Sequence, residues 1–114
     1  MKIIVCGGRN FNDVDLLCQA LDAACRSYSI TEIIEGGARG ADYLAGFWAD
    51  KKGLKHTVVM ADWDKHGKAA GPIRNQQMLD LKPDAVMAFP GGKGTEHMTH
   101  IATKAGIPVW RIEP

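Results

Sequence analysis

Short apolar runs alternate along this chain with longer stretches whose apolar residues recur at helical spacing. Lys2 to Cys6 is apolar and β-branched, and Gly7-Gly8 breaks it, which predicts a first strand. Between Asp13 and Tyr28 the apolar positions are Val14, Leu17, Cys18, Leu21, Cys25 and Tyr28. That is the period of one helix face, and Asn12 or Asp13 can cap it. TEIIEGG predicts a second strand, again stopped by two glycines. Ala41 to Lys52 carries Leu44, Ala45, Trp48 and Ala49 at helical spacing, and Gly53 ends that helix. KHTVVM predicts a third strand, and ADWDKHGKAAG, which has no apolar period, a loop. Gly71-Pro72 opens a helix to about Leu81, with Ile73, Met78 and Leu81 inward, and Pro83 stops it. DAVMAF is the fourth strand, Thr95 to Ala105 the fourth helix and IPVWRI the fifth strand.

Strands and helices that alternate through short connections imply a parallel sheet covered on both faces. Right-handed crossovers leave few topologies for it. The expectation is an α/β fold: a Rossmann-like three-layer sandwich with a five-stranded parallel sheet in the order 3-2-1-4-5. A length of 114 residues suits one domain, spanning 1–114.

Composition narrows the function classes. A formal net charge of +1 implies no general attraction to nucleic acid or to a membrane surface. No run approaches the roughly 18 apolar residues of a membrane span. MKIIVCGG is too short and too glycine-rich for a signal peptide, so a cytoplasmic location is expected. The three cysteines, Cys6, Cys18 and Cys25, form no C-x-x-C pair and read as buried small apolar residues in a reducing compartment. No histidine spacing points to a metal, and none is expected.

In an open parallel sheet, ligands bind beyond the carboxyl ends of the strands, where the strand order reverses. That point lies between the first and fourth strands, whose following loops are GGRNFND and PGGKGT. The loop after the second strand, GGARGAD, is of the same kind. A helix N-terminus offers unpaired N–H groups and a positive dipole end, and glycine lets that backbone approach a phosphate. The candidate ligand-binding residues are therefore Gly7, Gly8, Arg9, Gly36, Gly37, Arg39, Pro90, Gly91, Gly92, Lys93, Gly94 and Thr95. Thr95 would add a hydroxyl as ligand donor or as helix cap. Arg9, Arg39, Lys65, Lys68, Arg74 and Lys93 gather on the same rim, which suits a small anion. PGGKGT is not the G-x-x-x-x-G-K-[ST] loop, and Gly7-Gly8-Arg9-Asn10-Phe11 is not G-x-G-x-x-G, so hydride transfer through a dinucleotide is not expected.

Four further positions join the candidates. Trp63, in a polar loop, either stacks on a base or caps the sheet edge. Arg74 and Asn75 fall in the first turn of their predicted helix, where a cation opposes the dipole and so suggests an anionic partner. Asp42 is either a favourable first-turn carboxylate or a partner for sugar hydroxyls. His66 and His97 flank the site, and no nucleophile elbow is present.

GGRNFND, EGGARGAD, WDKHGKAAGPIRNQQM and PGGKGTEHM with AGIPV, in that order, resemble the SLOG superfamily of Rossmann-like proteins. The chain is most similar to its YspA/YpsA-related branch, and more distantly to the LOG-type phosphoribohydrolases and to DprA. In the LOG-type enzymes an arginine and the final glutamate of P-G-G-x-G-T-x-x-E serve cleavage of an N-glycosidic bond. Arg74 and Met78 match the first part and Pro90 to Thr95 the second, but the glutamate's position is Met98. Methionine neither stabilises an oxocarbenium ion nor activates water. Glu96 lies two residues earlier, roughly 200° around the helix. Arg74 and Glu96 are thus the catalytic candidates that the resemblance leaves.

The leading expectation is a domain that binds a nucleotide or a nucleotide-derived small molecule, with no other cofactor. The alternatives are a nucleotide-processing hydrolase using Glu96, Asp42 or Glu35 as its carboxylate, and a single-stranded nucleic-acid module. The balanced charge argues against the last. Homodimer formation through Phe47, Trp48 and Met98 is a further expectation.

Overall fold

The computed structural model describes all residues 1–114. Five strands, β1 (Lys2–Cys6), β2 (Glu32–Glu35), β3 (Lys55–Val58), β4 (Ala85–Ala88) and β5 (Val109–Arg111), form one parallel sheet in the order β3-β2-β1-β4-β5. Its central register pairs Ile4 with Ile34 on one side and with Val86 on the other. Four long helices cover it: α1 (Val14–Ser27), α2 (Ala41–Lys51), α4 (Ala70–Asp80) and α5 (Lys93–Lys104). A single-turn helix, α3 (Trp63–His66), and a 3-10 turn at Gly67–Ala69 lead into α4. The expected Rossmann-like sandwich is the observed fold.

Alternation along each strand divides the core in two. Ile3 and Val5 face α1 and α2, joined by Ile33, Met87 and Phe89 from the sheet and by Leu17, Leu21, Ala45 and Trp48 from the helices. Ile4 and Cys6 face α4 and α5, with Ile34, Val86, Met78, Leu79, Met98 and Ala102. The central strands are apolar on both sides because helices cover both faces.

Several expectations are corrected. The stretch ADWDKHGKAAG is not a loop, because Asp62 caps α3 by accepting the Lys65 N–H at 3.1 Å. Consequently α4 begins at Ala70, and Arg74 lies beyond its first turn, so the helix-dipole reason for singling out Arg74 falls. The inward residue near the end of α4 is Leu79, whereas Leu81 sits after the helix and is exposed. In α1, Leu17, Leu21 and Ala24 form the buried face, while Val14 and Tyr28 at its two ends are exposed. Only Cys6 is buried; Cys18 is half-buried and Cys25 exposed. Trp48 and Met98 are core residues, so of the expected dimer face only Phe47 is at the surface.

Candidate functional site

The three glycine-rich turns meet at the carboxyl edge of the sheet and are stitched together by backbone. The Gly8 N–H donates to the Pro90 carbonyl at 2.9 Å, and the Ala41 N–H to the Gly8 carbonyl at 3.3 Å. Both contacts require glycine. A Cβ on Gly91 would meet the Gly8 nitrogen at 2.7 Å. Gly40 combines φ of 77° with a Cβ direction that runs into the Gly8 and Arg9 carbonyls.

Beside these stitches lies a cavity of about 630 Å³. It takes in Gly7, Gly8, Arg9, Asp42, Trp63, Arg74, Asn75, Gly92, Lys93, Gly94 and Thr95 from the expected site. Gly36, Gly37 and Arg39 line a smaller adjoining cavity of about 280 Å³, which shares Arg9, Ala38, Trp63 and Arg74 with the first. Pro90 and Gly91 line neither and serve the loop-to-loop contact instead. Cys6, Ala38, Gly71, Pro72, Met78 and His97 also line the larger cavity. His97 is thus part of the wall rather than a flanking residue, and Lys68 is the rim lysine of its segment that reaches the space. Gly71, Pro72 and Met78 enter as part of α4, whose place beside the cavity no local sequence signal encodes.

The N-terminus of α5 faces this space. Gly92 is its cap residue, and no side chain caps the helix. The first backbone bond of the turn runs from the Glu96 N–H to the Gly92 carbonyl at 3.1 Å. The N–H groups of Lys93, Gly94 and Thr95 are therefore left to an outside acceptor. A Cβ on Gly92 or Gly94 would meet no atom within 4 Å, so both glycines border open space. Thr95 is the third residue of the helix, not its cap.

The turn after β2 is different. Its first three amides are already taken: Asp42 Oδ2 accepts from the Gly36 N–H at 3.1 Å and from the Ala38 N–H at 3.3 Å, and Glu35 accepts from the Gly37 N–H. Those three amides are not available to a phosphate.

The cations are held but not neutralised. Arg74 donates through Nη1 to the Gly36 carbonyl at 2.6 Å and through Nε to Asn75 Oδ1 at 3.1 Å. Asn75, buried, donates in turn to the Gly94 carbonyl at 3.2 Å and contacts His97 Nδ1 at 3.1 Å, so it ties α4 to the first turn of α5. Arg9 lies 5.7 Å from the ring centre of Trp63, whose half-exposed face borders both cavities. The ion pairs of the molecule involve Lys52, Lys55, His56 and Arg111, and none of the cavity cations.

The candidate carboxylates separate. Glu96 is turned away and pairs with Arg111 at 3.1 Å, lining neither cavity. Glu35 is buried and held by His56 Nε2 at 2.7 Å. Asp42 alone reaches the wall of the larger cavity. Burial, reinforced by the nearby Glu35, pushes its carboxyl up to about 6 despite its backbone bonds and Arg74. Burial likewise pushes the Cys6 thiol up to about 12, so it is a neutral floor residue rather than a thiolate nucleophile. No group of three or more histidine, cysteine or acidic side chains is placed to hold a metal. No helix is long and apolar enough to cross a membrane.

Residues 1–66 match a family described as YspA, cpYpsA-related SLOG. The chain is also 40% identical over 116 aligned positions to the Gene 61 protein of Mycobacterium phage D29, an alignment covering 95% of this chain and 93% of that relative.

Proposed function

The chain belongs to the YspA, cpYpsA-related SLOG family, and from that premise we propose that it binds a nucleotide or nucleotide-derived anion in the larger cavity. Family membership is consistent with a ligand of that kind. The observation that carries the reading is the uncapped start of α5, with Gly92 and Gly94 opening onto a cavity of about 630 Å³. Three free amides and the dipole end would hold a phosphate. Lys93, Lys68, Arg9 and Arg74, with no carboxylate paired to any of them, would balance its charge. Trp63 would offer its open face to a base, with Arg9 moving off the ring or stacking beyond it.

Hydrolysis of the ligand is the second reading, and the one observation in its favour is Asp42, a carboxyl raised to about 6 at the cavity wall. Both readings suit a small ligand in a cytoplasmic protein better than a nucleic-acid strand. A homodimer, if formed, would use Tyr43 and Phe47, which are exposed one turn apart on α2.

The test is a thermal-shift panel of nucleotides, cyclic nucleotides and dinucleotides, each mixture then separated by liquid chromatography. A ligand at about 100 times its Kd adds about 2.7 kcal/mol to the folded state. A clear shift with intact ligand recovered is expected. Base or sugar phosphate released by the protein would establish the hydrolytic reading, and no shift with any compound would refute both.

A further inference from the structure

Asp42 is out of place in a site for an anion. It is the only carboxylate on the wall of the larger cavity, among Arg9, Lys68, Arg74 and Lys93. Its residue is 6% exposed. One oxygen, Oδ2, is occupied by the Gly36 and Ala38 N–H groups, and that contact fixes the turn after β2. The other, Oδ1, has no partner in the protein. It is not sealed in either, because no buried side-chain oxygen of the molecule lacks a hydrogen bond. Oδ1 is therefore presented to the cavity.

A turn could be fixed by asparagine, whose single amide oxygen accepts the same two N–H groups. The second carboxylate oxygen adds nothing to the turn and repels a phosphate. Its charge also suits the start of α2 and Arg74, but its open acceptor position is left for a donor on the ligand. The donors that a nucleotide carries away from its phosphates are the sugar hydroxyls and the base amino groups. The cavity has its aromatic face at Trp63 and its free amides at α5, and Asp42, in the first turn of α2, lines the same space. A nucleotide with its phosphate on α5 and its base near Trp63 would leave its sugar hydroxyls as the donors for this oxygen.

We infer that Asp42 Oδ1 accepts a hydrogen bond from a ribose hydroxyl, so that the site selects ribonucleotides over their deoxy counterparts. The inference rests on the phosphate-binding reading above and adds the sugar class to it. A hydroxyl lost from the ligand leaves a desolvated carboxylate oxygen without a donor, which costs more than the bond itself is worth.

The experiment titrates wild-type protein and Asp42→Asn with the four ribonucleoside monophosphates and diphosphates and with the matching 2′-deoxy and 3′-deoxy compounds. Wild type should prefer the ribonucleotide over at least one deoxy form by about ten- to a hundredfold. Asp42→Asn keeps the acceptor for Gly36 and Ala38, should stay folded, and, with only a neutral Nδ2–H to offer a hydroxyl, should narrow the wild-type preference by at least about threefold. A purely structural role for Asp42 would lower stability and leave the sugar preference unchanged. Equal binding of ribo and deoxy forms by wild type overturns the inference while leaving the phosphate cradle standing. The same holds if Asp42→Asn retains the preference. Failure of every nucleotide to bind overturns both. Products formed by wild type and not by Asp42→Asn would make Asp42 a catalytic group and overturn its assignment as a sugar-binding residue.

Discussion

His56 shows how one side chain is set by the elements around it. It stands on β3, with Nε2 at 2.7 Å from the buried Glu35 of β2 and Nδ1 at 3.2 Å from Asp50 of α2. Partial burial opposes its charge, but the hydrogen bonds and charges of Glu35 and Asp50 outweigh it, and the imidazole is raised above 6.5. A raised histidine stabilises the fold while protonated in the native state. That contribution is full below the unfolded pKa and fades as pH rises through the folded one. Stability should therefore fall as pH rises past about 6.5, the ordinary histidine value. Denaturant midpoints measured upward from that pH should decline less for His56→Gln than for wild type. Identical slopes would mean that the Glu35–His56 contact carries no titrating stability. The cluster is not legible in the sequence: Glu35, Asp50 and His56 share no local spacing, and only the parallel register of β2 and β3, which pairs Ile33 with His56 and Glu35 with Val58, brings them together.

At the scale of elements, α1 and α5 are opposite cases of one rule. Asp13 caps α1 by accepting the Leu16 N–H at 3.0 Å, whereas α5 starts at Gly92 with nothing in that role. A helix left uncapped sacrifices stability that an acidic residue would supply. Gly92→Asp places such a residue at the cap position, at a negative φ of −103° and with open space around it. The expected result is unchanged or slightly higher stability, by about 0.5 kcal/mol, together with at least a tenfold loss of nucleotide binding because the new carboxylate occupies the cradle. A variant that binds as well as wild type would show that the α5 amides do not hold phosphate. The glycines of PGGKGT are readable as a cradle because more of them occur than a turn needs. Their division of labour is not. Gly91 closes against Gly8, while Gly92 and Gly94 line the opening, and only the packing of two loops distinguishes them. The start of α4 is hidden for a related reason: capping by Asp62 and a 3-10 turn carry helical structure through a segment with no apolar period.

For the whole molecule, the order of elements and the apolar pattern suffice for the architecture. Alternating strands and helices permit few arrangements, and the observed sheet is the expected one. That topology puts the reversal point between β1 and β4, and the glycine turns of both strands arrive there. The division of the core between two helix pairs then leaves α4 to close the side of the cavity, with Asn75 fastening it to α5. Side-chain direction is beyond the sequence. Glu96 turns to Arg111, Met98 enters the core, and Asp42 turns inward as the one acid of the site.

The proposed binding site depends on the first turn of α5 holding the phosphate of a nucleotide. Calorimetric titration of a nucleoside and of its monophosphate into wild type, Gly92→Val and Gly94→Val tests it most directly. Both variants should remain folded, within about 1 kcal/mol of wild type, since neither new side chain meets an obstacle. Wild type should bind the monophosphate and hardly the nucleoside, and the variants should lose the difference. Equal binding of the monophosphate by wild type and by both variants would contradict the account.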